Sequence, residues 1–549
     1  MSIATAEISE FGIGELAVSE RAGFRLCIIR QSFSTVAPEI LRQFDDRIPQ
    51  PLDIRLVEIG DNGGWHFENY RSWPAIWKDI TDYDPDCILT INRLGSSFDT
   101  PLTLLCELWR IPMVQFYVDH PESAFLPDYE CEMDCLLPLV NSRDFLKAMT
   151  DRGHRVRFLP MATDAERFRL PETENRLYPI VFIGDLGVSR SNLLASHVKA
   201  KMGGVAGLFT PELNAYIGEA GSWLMEAREK TVIEYFAEHQ RGFIGSLIQS
   251  DREVKGQMIS LVDLQATFLM RKKAIELLAP YHIHVWGGED WRQIVAPEFF
   301  HGRIAYPEIH RLYQKAMLVL NISKFQSMGV ADQRHFDVPM CGAALLTEDH
   351  PGQREFFDDS EMLYWKDLDH LVELVEKYHD DADSCREIAD AAREKILGRH
   401  TYETRVGQLI EHVRDHKECL DSKEPESLKS RPLFEARFKK WIYTWLELGD
   451  VEFATMVIGK AQDQDRENPL CAILTRTALL YGGDLNGEDS MLCGDFWDEP
   501  DFHFMRTVAE LKRGNRDAAR QSMHRAIKLA PESKRFKRIE EILNAGSDE

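Results

Sequence analysis

The chain has 549 residues, 44% hydrophobic and 28% charged, with 90 acidic against 65 basic side chains and a net charge of −25. That length exceeds one ordinary core and predicts roughly three or four domain-sized pieces. The acidic balance repels nucleic acid and anionic membrane, so an anionic ligand has to be held by local donors, and no apolar stretch is long enough for a membrane span.

The opening MSIATAEISEFGIGELAVSE (1–20) lacks the basic and apolar regions of a secretory signal and reads as a loose N-terminal arm. The ten cysteines are scattered, and Cys27, Cys87 and Cys341 sit in apolar runs as small hydrophobes. Reduced thiols and a cytoplasmic location are the expectation. Cys131 and Cys135 lack a second pair with ligand spacing, so no metal is expected there.

From residue 21 to 172, short aliphatic runs alternate with longer amphipathic stretches, the pattern of βα units. Predicted strands are 24–30, 53–60, 86–92, 112–119, 135–140 and 156–162. Several are apolar on both faces, as strands of a parallel sheet covered by helices are. A second series fills 173–416, with strands beginning at 178, 282, 316 and 343 and ending near 361–365. The fold class is therefore α/β, with two doubly wound Rossmann-like domains. Residues 190–278 have helical spacing throughout and form a helical insertion, since a normal crossover needs far fewer residues.

Residues 381–416 read as two helices interrupted at Gly398, and the polar run 417–432 as a linker. The all-α tail from 433 to 549 contains two related stretches. Each has a turn (Gly449-Asp450; Gly514-Asn515), small residues (Ala454 and Ala461; Ala518 and Ala526) and a closing proline (Pro469; Pro531). These features resemble degenerate tetratricopeptide repeats, which stack into concave surfaces; a generic helical bundle would carry the same residues.

A phosphate-bearing ligand calls for backbone N–H groups at strand ends and helix N-termini, with an Arg or Lys beside them. FIGDLGVSRSN supplies Gly184 and Gly187 just past a strand, with Ser189, Arg190 and Ser191 opening the next helix; a plain tight turn would need the same glycines. A second strand end carries Trp286, Gly287 and Gly288. In the first domain, the strand 112–119 ends in Asp119 and His120, at the carboxyl edge where open α/β sheets bind ligands. Either is suitably placed to act as a general base, and each has a bland alternative, a helix cap for Asp119 and a cleft-wall ring for His120. Asn92 and Arg93 end the preceding strand and are candidate acceptor contacts.

Across about 280–406 the order of segments resembles the C-terminal lobe of group-1-type GT-B glycosyltransferases, in particular the bacterial branch related to spore-maturation glycosyltransferases. The resemblance is carried by Gly302, Tyr306, Glu308 and Ile309, then a strand ending in Leu320-Asn321. It continues with Arg334, Phe336, Asp337, Cys341 and Gly342, and later with Thr347, Glu348, Phe357, Asp359, Glu361, His400, Thr401, Tyr402 and Arg405. It implies a donor site in the second lobe for a nucleotide-linked sugar, UDP- or GDP-linked, with Asp337 facing the ribose or sugar and Arg334 steadying the diphosphate. Tyr306, Asn321 and Gly342 join that site on the same ground. It also implies transfer without a bound metal, the diphosphate being stabilised by helix dipole and basic side chains. The two glutamates of many retaining members correspond to Gly329 and Asp337, which leaves the stereochemistry open.

The expected function is transfer of a sugar from a nucleotide-sugar donor to a glycan or protein acceptor, with the tail docking a partner or a second copy. Two rivals stand beside it: a sugar-nucleotide epimerase on the same fold, and a noncatalytic scaffold.

Overall fold

The computed structural model describes residues 23–30, 52–58, 72–92, 101–119 and 133–545, apart from 152, 174, 228–229, 240–241, 428–429, 466–467 and 483–499. The expected arm 1–20, His120, Arg93 and Cys131 lie outside these residues.

The first lobe is built on β1 (Phe24–Arg30), β2 (Leu52–Glu58), β3 (Cys87–Ile91), β4 (Met113–Tyr117), β5 (Leu136–Val140) and β6 (Arg157–Phe158). All pair in parallel, in the order β2-β1-β3-β4-β5-β6. Every residue of β3, β4 and β5 is buried, which is why these strands read as unbroken apolar runs. Its helices are α1 (Trp73–Tyr83), α2 (Leu102–Trp109) and α3 (Arg143–Thr150). The first two stop at left-handed residues, Asp84 (φ 52°) and Arg110 (φ 55°), whose N–H groups close back onto the last turn.

The second sheet comprises β7 (Tyr178–Ile183), β8 (His284–Trp286), β9 (Ala316–Leu320), β10 (Ala344–Glu348) and β11 (Leu363–Trp365), parallel in the order β11-β10-β9-β7-β8. Between β7 and β8 stand the insertion helices α4 (Val188–Met202), α5 (Ala206–Glu226), α6 (Val232–Glu238), α7 (Gly242–Ser250) and α8 (Arg252–Leu278). They enclose an apolar core of their own, around Leu213, Leu224, Ile248 and Val262. The lobe is completed by α9 (Ile309–Tyr313), α10 (Gln333–Met340), α11 (Pro351–Arg354), α12 (Leu368–Tyr378) and α13 (Ala382–Arg399).

The next helix, α14 (Tyr402–Ser422), returns to the first lobe. Thr401, its N-cap, forms a β-bridge with Thr163, and Arg405 donates to the carbonyls of Pro160 and Met161. One apolar cluster consequently joins Leu89 and Leu137 of the first sheet, Phe168 of the crossover, Val319 and Leu345 of the second sheet and Val406 of α14. Two expectations are corrected here. The interruption falls at His400–Thr401, where the threonine side chain caps the new helix, and Gly398 lies inside α13. The helix also continues through 417–422, so the stretch expected as a linker is non-helical only beyond Ser422.

The tail consists of α15 (Pro432–Leu448), α16 (Val451–Gln464), α17 (Pro469–Gly482), α18 (Pro500–Lys512), α19 (Arg516–Leu529) and α20 (Lys534–Ala545). Gly449 (φ 90°) closes α15 in the left-handed conformation, the reason a glycine stands at that turn. Ala454, Ala461 and Ala526 are fully buried at helix contacts, whereas Ala519 rather than Ala518 holds that position in α19. The tail shares a core with the first lobe: Trp77 and Leu105 pack in one cluster with Phe438, Trp441 and Trp445. Among the described residues no helix is long and apolar enough to cross a membrane.

Candidate active site in the interlobe cleft

In open parallel sheets, ligands bind beyond the carboxyl ends of the strands. In the second lobe the β7 end runs through Gly184–Gly187 into α4. Gly187 is left-handed (φ 80°), and a Cβ there would stand 3.0 Å from Leu264 of α8. Among the described residues no side chain caps α4, so its first N–H groups, at the positive end of its dipole, have no side-chain acceptor. Arg190, in its first turn, is exposed and makes no hydrogen bond or ion pair among the described residues.

The adjacent β9 end carries Asn321, Ile322, Ser323 and Lys324. The Lys324 side chain is exposed. Loss of surrounding water and the nearby cations Arg271, Arg190 and Arg334 lower its pKa, and Asp119 across the cleft opposes that shift. Arg334, in the first turn of α10, donates to Asp332 at 2.9 Å and to the carbonyl of Ile183, the last residue of β7, at 3.1 Å. Burial pushes the Asp332 carboxyl up, but Arg334 and His335 outweigh it and hold the group well below the usual carboxylate range. Arg334 therefore keeps its charge compensated while tying α10 to β7.

Asp119, just past the end of β4, forms the facing wall. Asn92, itself left-handed (φ 47°), donates to Asp119 Oδ2 at 2.8 Å and accepts from the N–H groups of Val118 and Asp119. These contacts fix the direction of the carboxylate.

The insertion takes part in this geometry. Arg271 of α8, buried to 5% exposure, donates to the carbonyl of Asp185 at 2.5 Å and through Nε and Nη2 to that of Ile322 at 3.2 and 2.8 Å. Thr267, one turn earlier, accepts from the N–H of Phe325 at 3.2 Å. Helix α8 thus clasps the two loops that present Arg190 and Lys324. Sequence reasoning passed over both Lys324 and Arg271. The lysine three residues after Asn321, in the loop that leaves the strand, was an available signal, while the insertion's arginine had none.

Behind the loops lies a buried polar network. Asn321 (1% exposed) donates to Thr347, and Glu348 accepts from the N–H and hydroxyl of Ser323. His335 spans Asp332 and Thr347 at 2.9 and 3.3 Å. Asn321 is thus a support for the β9 loop rather than a ligand contact.

Several other expected donor residues are also corrected. Asp337 is 1% exposed and accepts from Thr163 at 2.6 Å, Gln333 at 3.0 Å and Tyr306 at 3.1 Å. It fastens the lobes together and has no face left for a ribose, and Tyr306 is occupied as its partner. Trp286 is buried and stacks on His301 with centroids 4.1 Å apart. Gly287 is a packing glycine: a Cβ would fall 2.3 Å from the Gly184 carbonyl oxygen and 2.6 Å from Trp291 Nε1. The Gly288 N–H is taken by Asp185 at 2.6 Å, and the Gly184 N–H by the Trp286 carbonyl at 2.9 Å. Gly342 (φ 78°) faces Arg176 and Leu170 of the crossover, where a Cβ would lie 2.5 Å from the guanidinium. The arrangement that remains is a cation-lined niche opposite a held carboxylate. It suits an anionic leaving group on one side and proton removal on the other.

Comparison with known proteins places residues 268–411, which include Arg271, Lys324 and Arg334, within the family model Glyco_trans_1_2, described as glycosyl transferase-like. None of the curated proteins matches the chain. Among solved structures, sucrose-phosphate synthase from Thermosynechococcus elongatus is similar at 11% identity and a TM-score of 0.41, over 71% of this chain and 98% of that one. The Anabaena protein HepE in complex with UDP and glucose aligns at 12% identity and a TM-score of 0.40, over 71% and 100%. A glycosyltransferase from Rickettsia africae aligns at 9% identity and a TM-score of 0.40, over 72% and 99%.

Proposed function

We propose that this protein is a glycosyltransferase of the GT-B type, which moves a sugar from a UDP- or GDP-linked donor to an acceptor hydroxyl. The observation that carries the reading is the convergence of Arg190, Lys324 and Arg334 at the carboxyl ends of β7 and β9, facing Asp119. The donor diphosphate lies against Lys324, Arg190 and the first N–H groups of α4. As the bond between the sugar carbon and the diphosphate oxygen breaks, the electron pair leaves with the diphosphate, whose growing charge these groups stabilise without a bound metal. The Asp119 carboxylate, aimed by Asn92, accepts the proton of the acceptor hydroxyl as the new glycosidic bond forms; His120 flanks it in sequence. The spore-maturation branch is the reading for the second lobe, and a cytoplasmic enzyme fits the sequence best. The tail is read as degenerate tetratricopeptide repeats that recruit a polypeptide or a second copy.

The test is thermal unfolding of the full chain with UDP, GDP, CDP and dTDP, alongside Arg190→Ala and Lys324→Ala. A ligand that binds the native state raises its melting point by mass action. The expected result is a selective rise, with affinity lowered about tenfold or more in each variant, the effect of losing a charged hydrogen bond. No rise with any of the four nucleotides would overturn the reading.

A further inference from the structure

The helical insertion carries, at the end of α4 remote from Gly187, a turn that presents apolar side chains to solvent. Helix α4 leaves the β7 loop at Gly187, and its 15 residues span roughly 22 Å. It stops at Gly203 (φ 60°), and a short helical turn, Gly203–Val205, leads into α5. A Cβ at Gly203, Gly204 or Gly207 would meet no atom within 4 Å, so the turn stands clear of the rest of the fold.

Leu208 is 79% exposed, more than any other large apolar side chain among the described residues, and Val205 is 39% exposed. Phe209, next in the chain, stacks on Phe243 of α7 with centroids 4.1 Å apart, both rings half-buried at the rim of the insertion's core. A lone exposed leucine is ordinary. A leucine and a valine on a glycine turn, beside a half-buried ring pair, form one apolar tip.

The charge around this tip is opposite in sign to that of the chain. From Leu186 to Pro211 the sequence has Arg190, Lys199 and Lys201 and no acidic residue, although the whole chain carries −25. Helix α7 contains no charged residue. Glu212, where acidic residues resume, is turned to the start of α7 and accepts from the Ile244 N–H at 3.2 Å. In cellular salt, charge interactions fade over about 8 Å, so a surface that meets the tip is met by Lys199 and Lys201 rather than by the net charge of the chain. Two side chains on a protruding turn do not supply the roughly 800 Å² that a stable protein contact takes from each partner. A two-fold contact would also set these lysines against their own copies.

We infer that this tip inserts into the surface of an anionic lipid bilayer. Leu208 and Val205 enter the boundary between headgroups and acyl chains, and Lys199 and Lys201 face the headgroup phosphates. The attachment is peripheral, and α4 as spacer keeps the β7 loop within roughly 22 Å of the headgroups. The inference stands on the insertion alone and is independent of what the cleft transfers.

The experiment is co-sedimentation of the full chain with phosphatidylcholine vesicles, alone or with about one-third phosphatidylglycerol, at low and high salt. Wild type is compared with Val205→Ser plus Leu208→Ser and with Lys199→Gln plus Lys201→Gln, and the melting temperature of each is measured. Wild type is expected to bind the anionic vesicles about tenfold more tightly than the neutral ones, a preference that high salt removes. Each double variant is expected to melt near wild type and to bind the anionic vesicles about tenfold less tightly. The two variants are independent, so misfolding of one leaves the other to decide. Failure of wild type to sediment with anionic vesicles, or undiminished binding by either folded variant, would overturn the inference. So would self-association of wild type, seen by sedimentation velocity without vesicles and lost in Val205→Ser plus Leu208→Ser, since it would assign the tip to a second copy.

Discussion

Thr163 and Asp337 meet at 2.6 Å across the junction of the two lobes, the hydroxyl donating to a carboxyl oxygen that no solvent reaches. Burial pushes this carboxyl up to about 8, and its three hydrogen-bond donors only partly offset the shift. The folded state therefore keeps a proton that the unfolded chain, near 3.8, releases earlier. Its contribution to stability is full below that lower value and is lost as pH rises through the interval to about 8. Asp337→Asn should flatten the fall in melting temperature over this range. Thermal unfolding of both proteins at several pH values checks it, and equal slopes would count against a buried, protonated Asp337.

Arg271 should matter to nucleotide binding without touching the nucleotide. Arg271→Met strands the carbonyls of Asp185 and Ile322, at a cost of about 1–3 kcal/mol each, and frees the loops bearing Arg190 and Lys324. Nucleotide affinity should fall about tenfold or more in protein that is still folded, with Arg271→Lys restoring part of it. Unchanged affinity in a destabilised variant would reduce Arg271 to a purely structural role.

Gly287→Ala separates a packing glycine from a ligand-facing one. The methyl group would collide with the Gly184 carbonyl oxygen and the Trp291 indole, and overpacking of this kind costs about 1–3 kcal/mol. Denaturant unfolding should register the loss while nucleotide affinity in the folded fraction stays near wild type. The reverse pattern would return Gly287 to the donor site.

Arg431, at the entry to the tail, forms an ion pair with Glu107 of α2 at 2.5 Å, and both side chains are nearly inaccessible. Glu107 also accepts from the Cys135 N–H at 2.7 Å. Arg431→Met leaves a buried carboxylate without its cation and should cost about 3–5 kcal/mol, measured by chemical denaturation of the full chain. A loss below about 1 kcal/mol, the range of surface pairs, would mean that water reaches the site.

Much of the architecture was legible because a buried parallel strand leaves a mark on its own residues. The run CILTI of β3 is buried at every position and lacks the alternation of a half-exposed strand. The insertion was equally plain from its length and helical spacing. The binding residues were less so, because a glycine after a strand serves a ligand or a close backbone contact equally well. Only the neighbours decide, and those of Gly287 come from another turn of chain. Asp337 shows the same limit: its partner Thr163 stands 174 residues away. Lys324 and Arg190 acquire meaning only because β9 pairs with β7.

The union of tail and first lobe also bears on how the protein is made. Glu107 and Arg431 are 324 residues apart, which the ribosome covers in roughly 15 to 65 seconds at its usual pace. Throughout that interval the outer faces of α1 and α2, with Trp77 and Leu105, have been synthesised but not covered. The lobe translated first is thus the one whose folding finishes last, and its exposed tryptophan-rich face is where a nascent-chain chaperone would be needed.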